Sequence, residues 1–134
     1  MQSGIHVNEE LIVRFFAALE EGDIDTLREI YATDAVIWHN DDLIEQSVEE
    51  NLKVLRGLHR TVSGLRYDII RRVPAPDGMM QQHVMRGLLP DGTEVELHAA
   101  MYVQIRGGHI TRIEEYLDSG FRATIRAARE ARSR

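Results

Sequence analysis

Apolar residues near the start of the chain recur at the three- and four-residue spacing that is typical of amphipathic helices. We expect Asn8 to cap a first helix and Gly22 to end it. A second helix is predicted to start at Asp23. The positions predicted to face inward on these two helices are Leu11, Ile12, Phe15, Phe16, Leu19, Ile24, Leu27 and Ile30.

A turn at 33–34 and a short strand at 35–39 are predicted next, followed by a third helix over about 46–60, which Gly64 breaks. From residue 65 onward the pattern changes to the two-residue alternation of strands. Proline- and glycine-containing turns separate the alternating segments, so these strands should form an antiparallel meander. The predicted strands are 65–73, 79–89, 93–105 and 109–118.

Helices therefore come first and strands follow, without the strand–helix alternation of a doubly wound sheet. This order predicts an α+β fold with N-terminal helices packed on an antiparallel sheet. The length of 134 residues suits one domain covering 1–134. Helices folded over one face of such a sheet are expected to enclose a single apolar, ligand-sized pocket.

The parity of the last two strands identifies the face that should line this pocket. In 93–105, one face is almost wholly apolar and the other is mostly polar. The matching face of the last strand includes Ile113 and Leu117, with Glu115 between them. We expect walls made by Leu97, Ala99 and Met101.

Composition narrows the classes of function. The formal net charge of −6 makes nucleic acid a poor partner, although residues 122–134 are rich in arginine and should form a helix. Cysteine is absent, which fits a reducing compartment. Neither a secretory signal nor a membrane-spanning segment is present, so a cytoplasmic protein is expected.

Three segments resemble the nuclear transport factor 2-like superfamily, which includes ketosteroid isomerase, the SnoaL-type polyketide cyclases and limonene epoxide hydrolase. They are 31–40 (YATDAVIWHN), 89–92 (LPDG) and 108–118 (GHITRIEEYLD). The resemblance covers essentially the whole chain and implies a cone-shaped, cystatin-like fold. It also implies a homodimer, which we expect to form through the sheet face that carries His98, Ala100 and Tyr102.

The resemblance to limonene epoxide hydrolase also implies site residues. That family's water-positioning Tyr and Asn align with Trp38 and Asn40, and its catalytic Asp on the last strand aligns with Glu115. Its Arg and second Asp are absent here. A shift of one residue places Gln81 and His83 at those positions.

Glu115 is the strongest catalytic candidate, because a carboxyl group among apolar residues should have a raised pKa and exchange protons near neutral pH. The alternative is a structural ion pair with an arginine such as Arg71 or Arg86. His83 is the second candidate, provided that its strand face points inward; the opposite face is equally apolar. In that case Glu115 would stabilise the His83 cation and fix its tautomer.

Four polar or aromatic residues are expected to contact a ligand. Trp38 would form a pocket wall, although a buried aromatic residue is its ordinary role. Asn40 and Gln81 would orient a ligand oxygen, but Asn40 is equally suited to a turn. Asp118 would lie at the mouth of the pocket, unless it caps the C-terminal helix.

A metal site would have to combine His39, Asp41 or Asp42, and His83, and none of these has the spacing of a known ligand motif. We therefore expect neither a metal nor another cofactor. The leading hypothesis is an isomerase, cyclase or hydrolase that uses acid–base catalysis on a small, mostly apolar molecule containing oxygen. The alternatives are a pocket protein that binds a ligand without turnover, or a purely structural interaction domain.

Overall fold

A computed structural model describes residues 4–118 and 120–132, with no side-chain placement for residues 4–6 and 132. Four helices and six strands follow one another in an α+β order, which confirms the predicted fold class. The elements are α1 (Gly4–Glu21), α2 (Ile24–Ile30), β1 (Tyr31–His39), β2 (Glu45–Gln46), α3 (Val48–Thr61), β3 (Ser63–Ala75), β4 (Gly78–Leu88), β5 (Glu94–Arg106), β6 (His109–Leu117) and α4 (Phe121–Arg132).

The strands form one six-stranded curved sheet in the order β2-β1-β6-β5-β4-β3. Strands β3 to β6 are the predicted antiparallel meander. The first and last long strands, β1 and β6, pair in parallel, so that His39 lies beside Glu115. This one non-local pairing brings the two ends of the domain together at the site described below.

The first helix starts earlier than predicted. Asn8 lies inside α1 and does not cap it, because the helix already begins at Gly4. The next boundary agrees with the prediction: Gly22 has a positive φ of 70°, and the Asp23 side chain accepts a hydrogen bond from the Thr26 amide. The third helix begins at Val48, since Ser47 and Glu50 form a capping box before it.

Two groups of buried apolar side chains lie between the helices and the inner face of the sheet. The larger group joins α1, α2 and α3 to β1, β5 and β6. The smaller group lies under α3 and α4 and includes Leu65, Met85 and Leu97. Alternation along β4 directs Met79, Gln81, His83 and Met85 into the interior, which resolves the open question of the strand face that carries His83.

Candidate active site

A cavity of about 750 Å³ opens between α3, α4 and the inner face of the sheet. This volume is that of a pocket for a drug-sized molecule. Apolar side chains contribute more of its lining surface than polar ones do. Glu115, His39 and His83 lie together at one end, and α4 adds the charged side chains of Arg122, Arg126, Arg129 and Glu130. The residues that argue for function are His39, Asp41, Tyr67, His83, Leu97, Glu115 and Arg122.

The polar end is organised around Glu115, whose side chain is only 15% exposed. One carboxylate oxygen lies 3.2 Å from Nε2 of His39, and the other lies 3.5 Å from Nε2 of His83. The parallel pairing of β1 with β6 supplies His39, and the inward face of β4 supplies His83. A single carboxylate is therefore held between two imidazoles at the wall of an apolar cavity.

This arrangement reverses the expected direction of the Glu115 pKa. Burial by itself raises the pKa of this carboxyl group, as the sequence suggested. The hydrogen bonds from His39 and His83 and the electrostatic attraction of the two rings together outweigh that effect and lower the pKa from 4.5 to about 2. Glu115 is therefore an anion at neutral pH.

The negative charge of Glu115 affects two tyrosines of the interior, Tyr31 and Tyr67. Burial, and then the negative charge of Glu115, raise the pKa of both Tyr31 and Tyr67 well above the usual value. Tyr67 lines the cavity and packs edge-on against His83, with ring centroids 5.3 Å apart. Both phenols therefore keep their protons, and Tyr67 is a hydroxyl donor or acceptor inside the cavity.

The second ring nitrogen differs between the two histidines. Nδ1 of His83 lies 2.8 Å from the side-chain amide nitrogen of Gln81. Nδ1 of His39 is buried and has no hydrogen-bond partner among the described residues. The two imidazoles therefore share one carboxylate but have different surroundings on their far sides.

The mouth of the cavity is formed by α4. Arg122 donates two hydrogen bonds to Asp41, at 2.8 and 3.1 Å, and lies 3.2 Å from Asp42. These bonds lower the pKa of Asp41, whose side chain is 3% exposed. Phe121 and Ile125 pack against the smaller apolar group, so the helix lies at the opening through apolar packing and through the ion pairs of Arg122.

Three of the predicted site residues line the cavity: Glu115, His83 and Leu97. Gln81 is buried but reaches the site only through His83, so it does not orient a ligand oxygen directly. Ala99 and Met101 are inward-facing as predicted, yet they are not cavity walls. Met101 belongs to the larger apolar group, which fills the space on that side.

The prediction for Trp38 is wrong. Strand alternation directs its neighbours Ile37 and His39 inward and Trp38 to the opposite face of the sheet. Its ring there packs edge-on against Tyr116, with centroids 5.3 Å apart. A pocket wall at this position would require the other strand parity.

Asn40 and Asp118 also lie outside the cavity lining. Oδ1 of Asn40 accepts a hydrogen bond from the Leu117 amide at 2.8 Å, which continues the contact between β1 and β6. The Asp118 side chain accepts from the Gly120 amide, and its carbonyl accepts from the Phe121 amide. Asp118 therefore belongs to the turn that leads into α4, close to its alternative role as a cap.

The residues that sequence reasoning missed are His39, Tyr67 and Arg122. His39 was considered only as a metal ligand, although its alternation with Ile37 indicates the inward face. Tyr67 alternates in the same way with Leu65 on β3. The role of Arg122 depends on the packing of α4 against the loop after β1, and no local pattern predicts that packing.

Among the described side chains, those of 7–118 and 120–131, no group of three or more His, Cys, Asp or Glu is arranged to hold a metal ion. In the same part of the chain, each helix is too short or too polar to cross a lipid bilayer.

Helices packed on a curved sheet around an apolar cavity, with ionisable groups at its inner end, define a pocket-containing protein of the nuclear transport factor 2-like superfamily. Within it, the chain belongs to the SnoaL-like domain family, whose model matches residues 12–113. No match was found among curated proteins.

Solved structures agree with this fold. PrhC from Penicillium brasilianum is 11% identical, with a TM-score of 0.83 over 98% of this chain and 93% of that one. TerC, co-crystallised with polyporic acid, is 18% identical, with a TM-score of 0.75 over 90% and 98%. A protein with a ketosteroid isomerase-like fold from Catenulispora acidiphila, in complex with trimethylamine, is 17% identical, with a TM-score of 0.71 over 80% and 84%. At these identities the likeness establishes the fold alone.

Proposed function

We propose that this protein is a cofactor-independent enzyme that moves protons on a small, mostly apolar molecule containing oxygen, as an isomerase, cyclase or hydrolase does. The observation that carries the proposal is the Glu115 carboxylate held between the imidazoles of His39 and His83 at the wall of the cavity. Buried ionisable groups with strongly shifted pKa values, converging in an apolar pocket, are typical of acid–base sites.

The low pKa of Glu115 changes the role that the sequence suggested for it. A carboxylate that keeps its charge to about pH 2 is a weak proton acceptor at neutral pH. It is better suited to orienting an imidazole and stabilising the imidazolium that forms when that ring takes a proton. An imidazole is then the group that exchanges protons with the substrate, and Glu115 supports it.

The proton balance is that of a redox-neutral reaction. An imidazole nitrogen takes a proton from a carbon next to a carbonyl group, or from water. The electron pair of a broken C–H bond moves onto the carbonyl oxygen, where the Tyr67 hydroxyl can donate a hydrogen bond. The imidazolium then returns the proton to another carbon or to a leaving oxygen. In isomerisation the proton returns to another carbon. In ring closure the carbanion forms a C–C bond to a second carbonyl carbon, whose oxygen takes the proton. In hydrolysis the deprotonated water forms a C–O bond while the bond to the leaving oxygen breaks, and that oxygen takes the proton.

Support also comes from the lining of the cavity. Leu55, Leu58 and Leu97 provide apolar walls, whereas Glu115, His39 and His83 lie together at one end. A ligand with an apolar body and one oxygen-bearing end matches this division. The co-crystallised ligand of the structural neighbour TerC is polyporic acid, an organic acid that we include among the test compounds.

The test is a panel of lactones, epoxides, enones and hydroxyquinones, measured by thermal shift and by product analysis. We expect at least one compound to stabilise the protein and to be turned over, and Glu115→Gln to reduce turnover at least a hundredfold while the variant stays folded. Glu114→Gln is the matched control, because its side chain lies on the opposite face of β6, beside Arg112. A compound that binds but is never converted would support the alternative of a ligand-binding protein.

A further inference from the structure

His83 lies in a chain of hydrogen bonds that runs away from the cavity. Nε of Arg72 donates to Oε1 of Gln81 at 2.7 Å. The amide nitrogen of Gln81 lies 2.8 Å from Nδ1 of His83, and Nε2 of His83 lies 3.5 Å from Glu115. Gln81 is 2% exposed and His83 is 1% exposed, so water does not supply alternative partners.

The donors and acceptors in this series of hydrogen bonds can be assigned in only one way. A guanidinium group can only donate, so the oxygen of the Gln81 amide must face Arg72. The nitrogen of that amide then faces His83 and donates, which makes Nδ1 of His83 an acceptor. The proton of the neutral imidazole must therefore be on Nε2, where it points to Glu115. Rotating the amide by 180° would set an N–H of Gln81 against the N–H of Arg72.

The hydrogen bond that Gln81 donates to Nδ1 also disfavours a second proton on the His83 ring. A second proton would have to go on Nδ1, where it would meet the N–H of Gln81. The charged and titratable groups on the elements packed against His83 are Glu115 on β6, His39 on β1, Tyr67 and Arg72 on β3, and Glu20 on α1, which accepts from the Tyr67 amide.

We propose that Gln81, held by Arg72, is a positioning residue that fixes the His83 imidazole in the tautomer with its proton on Nε2. His83 then serves as a fixed hydrogen-bond donor to Glu115, and proton exchange with the substrate belongs to His39. The first statement concerns the folded protein alone; the second rests on the proposed function.

The surroundings of His39 support this division of roles. Its Nε2 lies 3.2 Å from Glu115. Its Nδ1 is buried and has no hydrogen-bond partner among the described residues. The ring lines the cavity, and the His39 side chain is 13% exposed whereas that of His83 is 1% exposed. Of the two imidazoles beside Glu115, His39 is therefore the one that a substrate in the cavity reaches more readily.

The first experiment needs no substrate. Side-chain ¹⁵N spectra of the labelled protein, assigned with His83→Gln and His39→Gln, report which ring nitrogens carry protons. At about pH 8 we expect Nδ1 of His83 to be an unprotonated acceptor and Nε2 to carry the proton. A proton on Nδ1 of His83 at that pH would overturn the proposal.

Gln81→Glu is the decisive variant, because a carboxylate of nearly the same shape accepts from both Arg72 and Nδ1 of His83. A proton should then appear on Nδ1 of His83. Gln82→Glu is the matched control, since it adds the same charge one residue along β4 on the exposed face. If Gln81→Glu does not fold, Arg72→Met frees the amide to rotate so that its oxygen faces His83, and a proton should again appear on Nδ1. An unchanged His83 spectrum in the folded variants contradicts the proposal.

The second experiment uses a substrate from the panel. We expect His39→Gln to lower kcat at least a hundredfold. His83→Gln should lower kcat less than tenfold, because its amide can still donate to Glu115. Equal losses would overturn the assignment of His39. The expected spectra without turnover of any compound would instead refute the proposed function and leave the role of Gln81 intact.

Discussion

Glu115 shows how one residue can be located from sequence while its charge state cannot. Strand parity placed it on the apolar face of β6, and the structure places its side chain in the cavity wall. The predicted rise of its pKa considered burial alone. The opposite direction results from His39 and His83, and His39 approaches only because β1 and β6 pair in parallel across the whole chain. No local sequence pattern predicts the parallel pairing of β1 with β6.

The low pKa of Glu115 predicts how its contribution to stability depends on pH. Because the pKa is lower in the folded state, the folded protein binds this proton less readily than the unfolded chain. The stabilisation is therefore complete above the unfolded value of 4.5 and is lost as the pH falls towards about 2. A shift of this size corresponds to roughly 3 kcal/mol.

We expect urea unfolding of Glu115→Gln to show a flatter dependence on pH between about 5 and 2 than the wild type shows. The difference between the two proteins isolates Glu115 from other carboxylates, such as Asp41, whose pKa Arg122 also lowers. Glu114→Gln should keep the wild-type slope. Parallel curves for Glu115→Gln and the wild type would show that the two imidazoles do not stabilise the carboxylate.

At the scale of elements, local sequence patterns predicted most helices and strands. They did not predict elements that form only through pairing with another strand. Alternation and turn residues predicted the four meander strands to within a few residues. The two-residue strand β2 is too short to carry a pattern and exists through its pairing with Ile37 and Trp38. Trp38 was assigned to the wrong face because its likeness to a family position outweighed its alternation with Ile37.

The C-terminal helix α4 makes a prediction at this scale. Its ion-paired contact joins Arg122 to Asp41, a carboxylate that is 3% exposed. Removing the arginine leaves that buried carboxylate with fewer donors, at a cost of about 1–3 kcal/mol. We expect Arg122→Gln to loosen α4 from the mouth of the cavity without unfolding the sheet.

Hydrogen exchange is the appropriate measurement for α4. The amides of 121–131 should exchange at least tenfold faster in Arg122→Gln, while those of β4 and β5 keep their protection. Arg126→Gln, one helical turn further along and also at the cavity, serves as the control and should leave the exchange of α4 unchanged. Equal protection of α4 in Arg122→Gln and the wild type would mean that the ion pairs of Arg122 do not hold the helix in place.

At the scale of the whole molecule, the inner and outer faces of the sheet carry different kinds of side chains. The inner face carries the cavity and its ionisable groups. The outer face exposes apolar and aromatic side chains that no described element covers. Its apolar members are Trp38, Ile70, Val73, Met80, Ala100, Tyr102 and Tyr116.

Register places the predicted dimer residues within this outer face. Ala100 lies between Gln82 on β4 and Tyr116 on β6, and Tyr102 lies between Met80 and Glu114. Tyr116 is 57% exposed and Met80 is 46% exposed. Exposed apolar and aromatic side chains on one face of a sheet are typical of interaction surfaces, and a surface that pairs with itself about a two-fold axis closes a dimer.

We therefore predict a homodimer through the outer face, with Tyr116 in the interface. Sedimentation velocity at micromolar concentration should give the mass of a dimer for the wild type. Tyr116→Glu should give a monomer, because it introduces a carboxylate into each half of an apolar contact, where its desolvation is costly.

Val13→Glu is the matched control: it places the same charge at a residue of α1 that is 51% exposed, away from the sheet, and should remain dimeric. Since the cavity opens on the other face, Tyr116→Glu should also keep the cavity and its ligands. A monomeric wild type, or a dimer that tolerates Tyr116→Glu as well as Val13→Glu, would rule out this interface.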